Sequence, residues 1–178
     1  MSRPSLFRPA TRADIPAVVE LVESAYRGDA SRVGWTTEAD LLGGRRTDAD
    51  DVRSCIERER SIVLLAERDG HLVACAHVAI EGPAGYFGMF SVTPMLQGAG
   101  LGKAVLAEAE RLAREDWQVP RMRMSVIDVR TELIAFYERR GYVRTGIKRP
   151  FPYGDERFGS PKRDDLRFEV MEKQLAVF

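Results

Sequence analysis

The sequence has little of several residue types on which common functions depend. Its 178 residues include two cysteines and two histidines, and they contain no C-x-x-C pair. Because no C-x-x-C pair is present and the two histidines are isolated, we expect no zinc site and no other metal. We expect Cys55 and Cys75 to be small buried residues of a reduced protein.

The chain also lacks an excess charge and a long apolar run. Lys plus Arg and Asp plus Glu both number 27, so the formal net charge is zero and no global field attracts nucleic acid or a membrane surface. No apolar run approaches the ~20 residues of a membrane helix, and the N-terminus has no signal-peptide pattern. We therefore expect a single domain over residues 1–178, cytoplasmic, binding neither nucleic acid nor membrane.

Glycines are present where an apolar segment gives way to a helical pattern. The segment Gln97-Gly98-Ala99-Gly100-Leu101-Gly102-Lys103 follows the apolar run 86–92 and opens a helical pattern over 101–115. Glycine lets backbone N–H groups come close to a ligand. At a helix start these groups lack internal partners and lie at the positive end of the helix dipole. The pattern predicts an anion site, most often for phosphate.

Two common glycine loops fit this segment poorly. A mononucleotide P-loop needs Gly where Gln97 stands and Ser or Thr where Ala104 stands. A dinucleotide loop, G-x-G-x-x-G, needs its third glycine one residue later than Gly102. A nucleotide-binding domain is therefore disfavoured.

A different loop fits better. Gln-x-x-Gly-x-Gly after a strand that ends in Ser91-Val92-x-Pro94 resembles the acetyl-CoA pyrophosphate loop of the GNAT superfamily of N-acetyltransferases. The segment 135–142, A-F-Y-E-R-R-G-Y, is similar to that family's late helix, whose Tyr faces the thioester sulfur and which ends in Gly-aromatic. The two segments stand in the family's order.

The order of predicted elements agrees with this resemblance. Periodicity predicts β, α, α, β, β, β, α, β, α, β, β, with Leu72, Ala74, Ala76, Val78 and Ile80 on one face of the third strand. The family implies an α/β (α+β) fold with a central mixed, mostly antiparallel seven-stranded sheet. About four helices flank that sheet, and a splayed parallel strand pair holds the cofactor.

The resemblance implies acetyl-CoA as cosubstrate, with no metal, and assigns its contacts. Phe90, Ser91 and Val92 would pair with the pantetheine arm. Arg130 stands where the family often has Asn and could reach a CoA phosphate. The remaining expected contacts are the loop residues Gln97, Gly98, Ala99, Gly100, Leu101, Gly102 and Lys103, and the late-helix residues Phe136, Arg139 and Arg140.

The resemblance also implies an acid, whereas the base stays open. Tyr137 would meet the leaving sulfur in a direct attack on the thioester by an amine. Some family members carry a basic carboxylate on the strand before the loop, but residues 86–92 contain none. Glu81 and His77, on one face of the preceding strand, are candidates. A water chain to a backbone carbonyl, or an amine of low pKa, would need neither.

The acceptor is expected between the first two helices and the last hairpin. Its candidate residues are Tyr26, Arg27, Trp35, Glu38, Phe151 and Tyr153. Glu38 could attract an ammonium group, whereas Arg27 or Arg157 could attract a carboxylate of the substrate. We expect a primary amine, with a small metabolite favoured over a protein. Apolar residues of the last strand are compatible with a homodimer or with core packing. The alternative function is a catalytically silent acyl-CoA-binding regulatory module.

Overall fold

The computed structural model describes residues 6–27, 37–97, 100–155 and 159–175. The helices are α1 (Ile15–Tyr26), α2 (Ala49–Glu57), α3 (Leu101–Arg111) and α4 (Thr131–Arg139). The strands are β1 (Leu6–Pro9), β2 (Leu42–Gly43), β3 (Ser61–Arg68), β4 (His71–Glu81), β5 (Ala84–Val92), β6 (Arg121–Ile127), β7 (Val143–Pro150), β8 (Ser160–Pro161) and β9 (Arg167–Gln174). The predicted order of elements is confirmed, and the short strands β2 and β8 are additions to it.

Seven of these strands form one mixed sheet, in the order β1-β3-β4-β5-β6-β9-β7. Every neighbouring pair is antiparallel except β5 and β6. That parallel pair is in register only where Gly85 meets Met122 and Tyr86 meets Arg123. Beyond this point the two strands separate, which confirms the predicted fold class with its splayed parallel pair.

A β-bulge lies in β5 where the strands separate. Across from β4, Cys75 pairs with Ser91 and His77 pairs with Gly88, so β5 has one residue more than β4 in this interval. Met89, inside the longer stretch, has a left-handed φ of 50°. A bulge bends its strand and increases the local twist. The end of β5 is thereby turned away from β6.

Both faces of the sheet are covered by helices. Helices α3 and α4 pack on one face with Leu64 and Phe87, whereas α1 and α2 pack on the other with Val63 and Leu65. The predicted burial of β3 on both faces is confirmed, because neighbouring residues of this strand belong to opposite clusters.

Strand β4 departs from its predicted alternation. The pattern predicts that Leu72 shares a face with Ala74 and Ala76, but Leu72 packs in the cluster on the opposite face. The cause is a register shift between β3 and β4 at Ala66 and Glu67, which interrupts the two-residue period next to Leu72. Residues 73–79 are all buried.

The segment before α2 is fixed to α1 by hydrogen bonds from its backbone N–H groups to a side-chain carboxylate. The Glu23 carboxylate of α1 accepts from the N–H groups of Arg46, at 2.6 Å, and Thr47, at 2.8 Å. Asp48 then caps α2 by accepting from the Asp51 N–H at 2.8 Å. These bonds set the position of Arg46 relative to α1.

The small antiparallel pair β2–β8 was not predicted. Leu42 pairs with Pro161 and Gly43 with Ser160, and segments this short carry no periodicity. Leu42 packs with Ile127, Phe151 and Leu166 in a third cluster. The pair therefore covers the carboxyl end of β6.

Candidate active site

The larger of two described cavities, of about 370 Å³, lies beside the glycine turn, the end of β5 and α4. Among its lining residues are most of the predicted cofactor contacts: Phe90, Val92, Gln97, Gly100, Gly102, Lys103, Arg130, Phe136, Arg139 and Arg140. Ser91 and Leu101 are instead buried beside it, and Gly98 and Ala99 lie outside the described residues.

The glycine turn leaves the first turn of α3 without a side-chain cap. Gly100 at its N-cap has a left-handed φ of 83°, a conformation that favours glycine. A Cβ on Gly102 would lie only 2.8 Å from Cζ of Phe90, so glycine at this position lets the ring pack against α3. Uncapped N–H groups beside a cavity are suited to an anionic ligand.

Cationic side chains line the same cavity. Lys103, Arg139 and Arg140 are among its lining residues, and the guanidinium of Arg140 lies 5.0 Å from the centre of the Phe136 ring. Nε of Arg140 is buried without a hydrogen-bond partner in the described chain. This set of donors fits a ligand with several phosphates.

A second cavity, of about 190 Å³, adjoins the first between the separating strands. The two cavities share Tyr26, Phe90, Arg130 and Leu133. Among the predicted residues that line the second cavity are Arg27, Glu38, Phe151 and Tyr137. The structure thus brings the predicted acid and most of the predicted acceptor residues together.

The predicted acceptor residue Tyr153 does not line this cavity. The Tyr153 hydroxyl accepts from the Leu166 N–H at 2.8 Å and donates to the Arg163 carbonyl at 3.0 Å. The Tyr153 ring packs edge-on against Phe151, so it supports that cavity residue from behind. Trp35 lies outside the described residues, as does Arg157.

Tyr137 lines the second cavity, and its ring centre lies 6.5 Å from that of Phe90, which lines both cavities. Burial raises the pKa of Tyr137 well above its ordinary value, so the hydroxyl keeps its proton at neutral pH. The described residues offer this hydroxyl no hydrogen-bond partner. It can therefore donate to a ligand.

Glu38 is occupied by two arginines. Its carboxylate forms buried ion pairs with Arg27 and, at 2.9 Å, with Nη1 of Arg130. The three side chains are all buried, and the pairs join the segment after α1 to the start of α4. The predicted attraction of an ammonium group by Glu38 is weakened, because its charge is already balanced.

These features occur in a known family. Residues 17–142 match the Acetyltransferase (GNAT) family. The protein belongs to this family. No curated protein matches the sequence significantly.

Solved structures of GNAT acetyltransferases share the fold along nearly the whole chain. A ribosomal-protein-alanine N-acetyltransferase from Brucella melitensis is 24% identical, with 96% of this chain and 99% of that chain covered and a TM-score of 0.70. The protein yncA from Salmonella typhimurium, solved with its cofactor acetyl-CoA, is 22% identical. The match covers 98% of this chain and 95% of that chain, with a TM-score of 0.69. At these identities the likeness is one of fold.

Family membership indicates the class of ligand that the protein uses. GNAT acetyltransferases use acetyl-CoA, whose diphosphate and 3′-phosphate match the uncapped helix start and the cationic side chains described above. No group of three or more His, Cys, Asp or Glu side chains in the described ranges could hold a metal ion. Within the same ranges no helix is long and apolar enough to cross a membrane.

Arg46 and Tyr86 are cavity residues that the sequence pattern did not predict. Arg46 and Tyr86 both line the second cavity, and the Arg46 guanidinium lies 5.0 Å from the centre of the Tyr26 ring. Burial raises the pKa of Tyr26 to about 12 and also raises that of Tyr86. Arg46 follows Arg45 in a polar stretch without periodicity, so no local signal distinguishes the half-buried Arg46 from the exposed Arg45.

The two predicted base candidates line neither cavity. Glu81 is exposed at the end of β4, beside the turn into β5. His77 is buried behind Tyr86, with ring centres 5.5 Å apart, and its Nε2 lies 2.7 Å from Oγ of Ser61. Burial, with Arg58 and Arg46 nearby, lowers the pKa of His77 to about 4, so its imidazole is a weak base.

His77 instead predicts a pH effect on stability. The unfolded chain takes up a proton at about pH 6.5, whereas the folded chain takes it up only near its lowered pKa, so stability falls as the pH drops from 6.5 towards about 4. Between about pH 7 and about pH 4.5, this one group should cost about 2 to 3 kcal/mol. His77→Gln should reduce the acid-induced loss in urea unfolding by that amount.

His71→Gln is the matched control, because His71 is exposed at the start of the same strand. It should leave the acid-induced loss unchanged. An equal loss in the unaltered protein and in His77→Gln would contradict the assignment of a neutral, buried imidazole.

Proposed function

We propose that the protein transfers the acetyl group of acetyl-CoA to a primary amine of a small metabolite, by direct attack within a ternary complex. One observation carries this proposal: two cavities meet at Phe90 and Arg130, with the unpartnered hydroxyl of Tyr137 in the second. One cavity fits a polyphosphate, and the other is small and is lined by aromatic, aliphatic and a few charged side chains. Such a combination suits a cofactor and a small acceptor.

The residues that would hold acetyl-CoA are those of the larger cavity. The first turn of α3 offers unpartnered N–H groups to the diphosphate, and Lys103, Arg139 and Arg140 offer charge to the phosphates. Phe90 and Val92, at the end of β5, line this cavity, and Phe90 also lines the second one. The bound molecule supplies a thioester that an amine can attack.

Tyr137 is the proposed acid. The amine nitrogen gains a bond to the acetyl carbon while the carbon–sulfur bond breaks, the amine loses one proton, and the departing thiolate gains one. A phenol whose pKa burial raises above 10 holds its proton until negative charge develops beside it. Tyr137 therefore stabilises the thiolate chiefly by a hydrogen bond.

The charge of the second cavity favours a neutral amine. Its charged lining residues, within the described chain, are Arg27, Arg46 and Arg130 against Glu38. A surplus of positive charge lowers the pKa of a bound ammonium group. The amine can then pass its proton to water, so neither of the predicted bases, Glu81 and His77, is needed. The expected cytoplasmic location and the homodimer stay predictions.

An amine panel tests this proposal. The protein is incubated with acetyl-CoA and single amines from several classes: amino acids, polyamines, aminoglycosides, aryl amines and N-terminal peptides. Thiol release is recorded against a reaction without amine, and mass spectrometry looks for a gain of one acetyl group. Amine-dependent release with an acetylated product supports transfer. Tight binding of acetyl-CoA without transfer to any class would favour the silent regulatory module.

A further inference from the structure

The second cavity contains an arginine that forms no ion pair with a carboxylate of the described chain. The ion pairs of Glu38 use Arg27 and Arg130, whereas Arg46 forms no ion pair with any residue in the described ranges. A guanidinium stays protonated at every physiological pH. The charge of Arg46 lies over the Tyr26 ring and near Tyr86, and it interacts with the carboxylates of Glu38 and Asp51 without forming an ion pair with either.

The position of Arg46 is fixed rather than incidental. Its backbone N–H is bonded to the Glu23 carboxylate at 2.6 Å, and its guanidinium lies over the Tyr26 ring at 5.0 Å. Stacking on a phenol face stabilises a cation and leaves the edges of the guanidinium plane open to acceptors. An arginine held this way presents a fork of donors to whatever enters the cavity.

The surroundings of Arg46 favour an anion over a second cation. Tyr26 and Tyr86, which line the cavity beside it, stay neutral because burial raises the pKa of each phenol. Of the described side chains that line the cavity, only Glu38 carries negative charge, and two arginines balance it. Among the described lining residues, no unpaired negative charge would therefore repel an incoming carboxylate.

We propose that Arg46 binds a carboxylate of the acceptor, so that the substrate class is amino acids and related amines with an anionic group. This inference rests on the proposed function and narrows its acceptor. Planar carboxylates are the groups that a guanidinium fork matches with two parallel hydrogen bonds. The acceptor's amine would lie on the Tyr137 side of the same cavity, which Arg46 and Tyr137 both line.

The test compares amino acids with their amides. Methionine, phenylalanine and glutamine are each paired with the corresponding amino-acid amide, which keeps the amine and the side chain but loses the carboxylate. For the acetylated pairs, kcat/KM should favour the acid by about 10-fold or more, and Arg46→Gln should lower kcat/KM for the acid by about 100-fold. The same variant should change kcat/KM for the amide by less than about 3-fold.

Two further variants separate recognition from folding. Arg45→Gln removes a charge from the exposed neighbour and should leave both substrates unaffected. Arg46→Lys keeps the charge but loses the fork, so it should retain a reduced preference for the acid. The ratio of acid to amide within one protein is insensitive to the fraction that folds, so a purely structural role of Arg46 would leave that ratio unchanged.

The outcomes distinguish the two proposals. Amides or decarboxylated amines that are acetylated as well as the acids would overturn the role of Arg46 and leave the acetyltransferase intact. An equal loss on acid and amide in Arg46→Gln would do the same. If the wider amine panel gives no acetylated product at all, the proposed function fails, and the inference fails with it.

Discussion

Gly100→Glu should weaken the binding of acetyl-CoA by about 100-fold, which corresponds to about 2.7 kcal/mol. Gly100 lines the larger cavity and is the N-cap of α3. A carboxylate at this point would oppose the phosphates that the helix start and the nearby cations attract. Equilibrium dialysis with labelled acetyl-CoA measures the dissociation constant directly.

Gly70→Glu is a close control for this variant. Gly70 has a φ of 78° and, like Gly100, has no described atom within 4 Å of an added Cβ. Both variants add one negative charge and a side chain in a left-handed conformation, at a cost of about 1 to 2 kcal/mol in stability. Gly70 lies in the β3–β4 turn and lines neither cavity. Equal affinities in the two variants would contradict the proposed phosphate site.

Tyr137→Phe should lower kcat by about 100-fold and leave the dissociation constant of acetyl-CoA within about twofold. The variant removes only a hydroxyl that has no partner among the described residues, so the aromatic packing with Phe90, Phe136 and Tyr142 stays. Burial keeps that hydroxyl protonated and ready to stabilise the thiolate. Steady-state kinetics on an accepted amine, with dialysis in parallel, separates rate from binding.

Tyr142→Phe should show the opposite pattern. The Tyr142 hydroxyl donates to Glu110 at 2.9 Å and lines neither cavity. Its loss should lower the free energy of unfolding by about 1 to 3 kcal/mol and leave kcat close to that of the unaltered protein. A kcat that is unchanged in Tyr137→Phe, or reduced equally in both variants, would remove Tyr137 from the mechanism.

The parts of this site that were predictable from sequence are those encoded within short segments. The strand, glycine turn and helix over residues 86–115 combine apolar periodicity with glycine, and both signals are local. Tyr137 was assigned through the resemblance of the segment 135–142 to the late helix of the GNAT family. The cavity beside α3 and α4 forms when these two segments pack on the same face of the sheet.

The parts that were not predictable depend on contacts between distant segments. Glu38 and Arg130 are 92 residues apart in the chain, and nothing in either segment indicates that they pair. That pairing decides whether Glu38 is available to a substrate. The base candidates show the same limit, since the polarity of His77 is visible in the sequence but its burial behind Tyr86 is not.

Backbone irregularities were also invisible in the sequence pattern. The bulge at Met89 and the register shift near Leu72 each involve a single residue, and a two-residue period cannot indicate which residue is skipped. The bulge nevertheless lies where β5 turns away from β6 and the two cavities meet. Arg46 was missed for a similar reason. Its position comes from a hydrogen bond between its backbone N–H and the Glu23 carboxylate, and not from a periodic pattern.

The most direct single measurement is a calorimetric titration of acetyl-CoA into the unaltered protein. We expect one molecule of acetyl-CoA to bind per chain, with a dissociation constant in the micromolar range, because the uncapped start of α3 and three nearby cations meet in one cavity. The absence of binding at millimolar acetyl-CoA would contradict the assignment of that cavity, and the proposed acetyl transfer would fall with it.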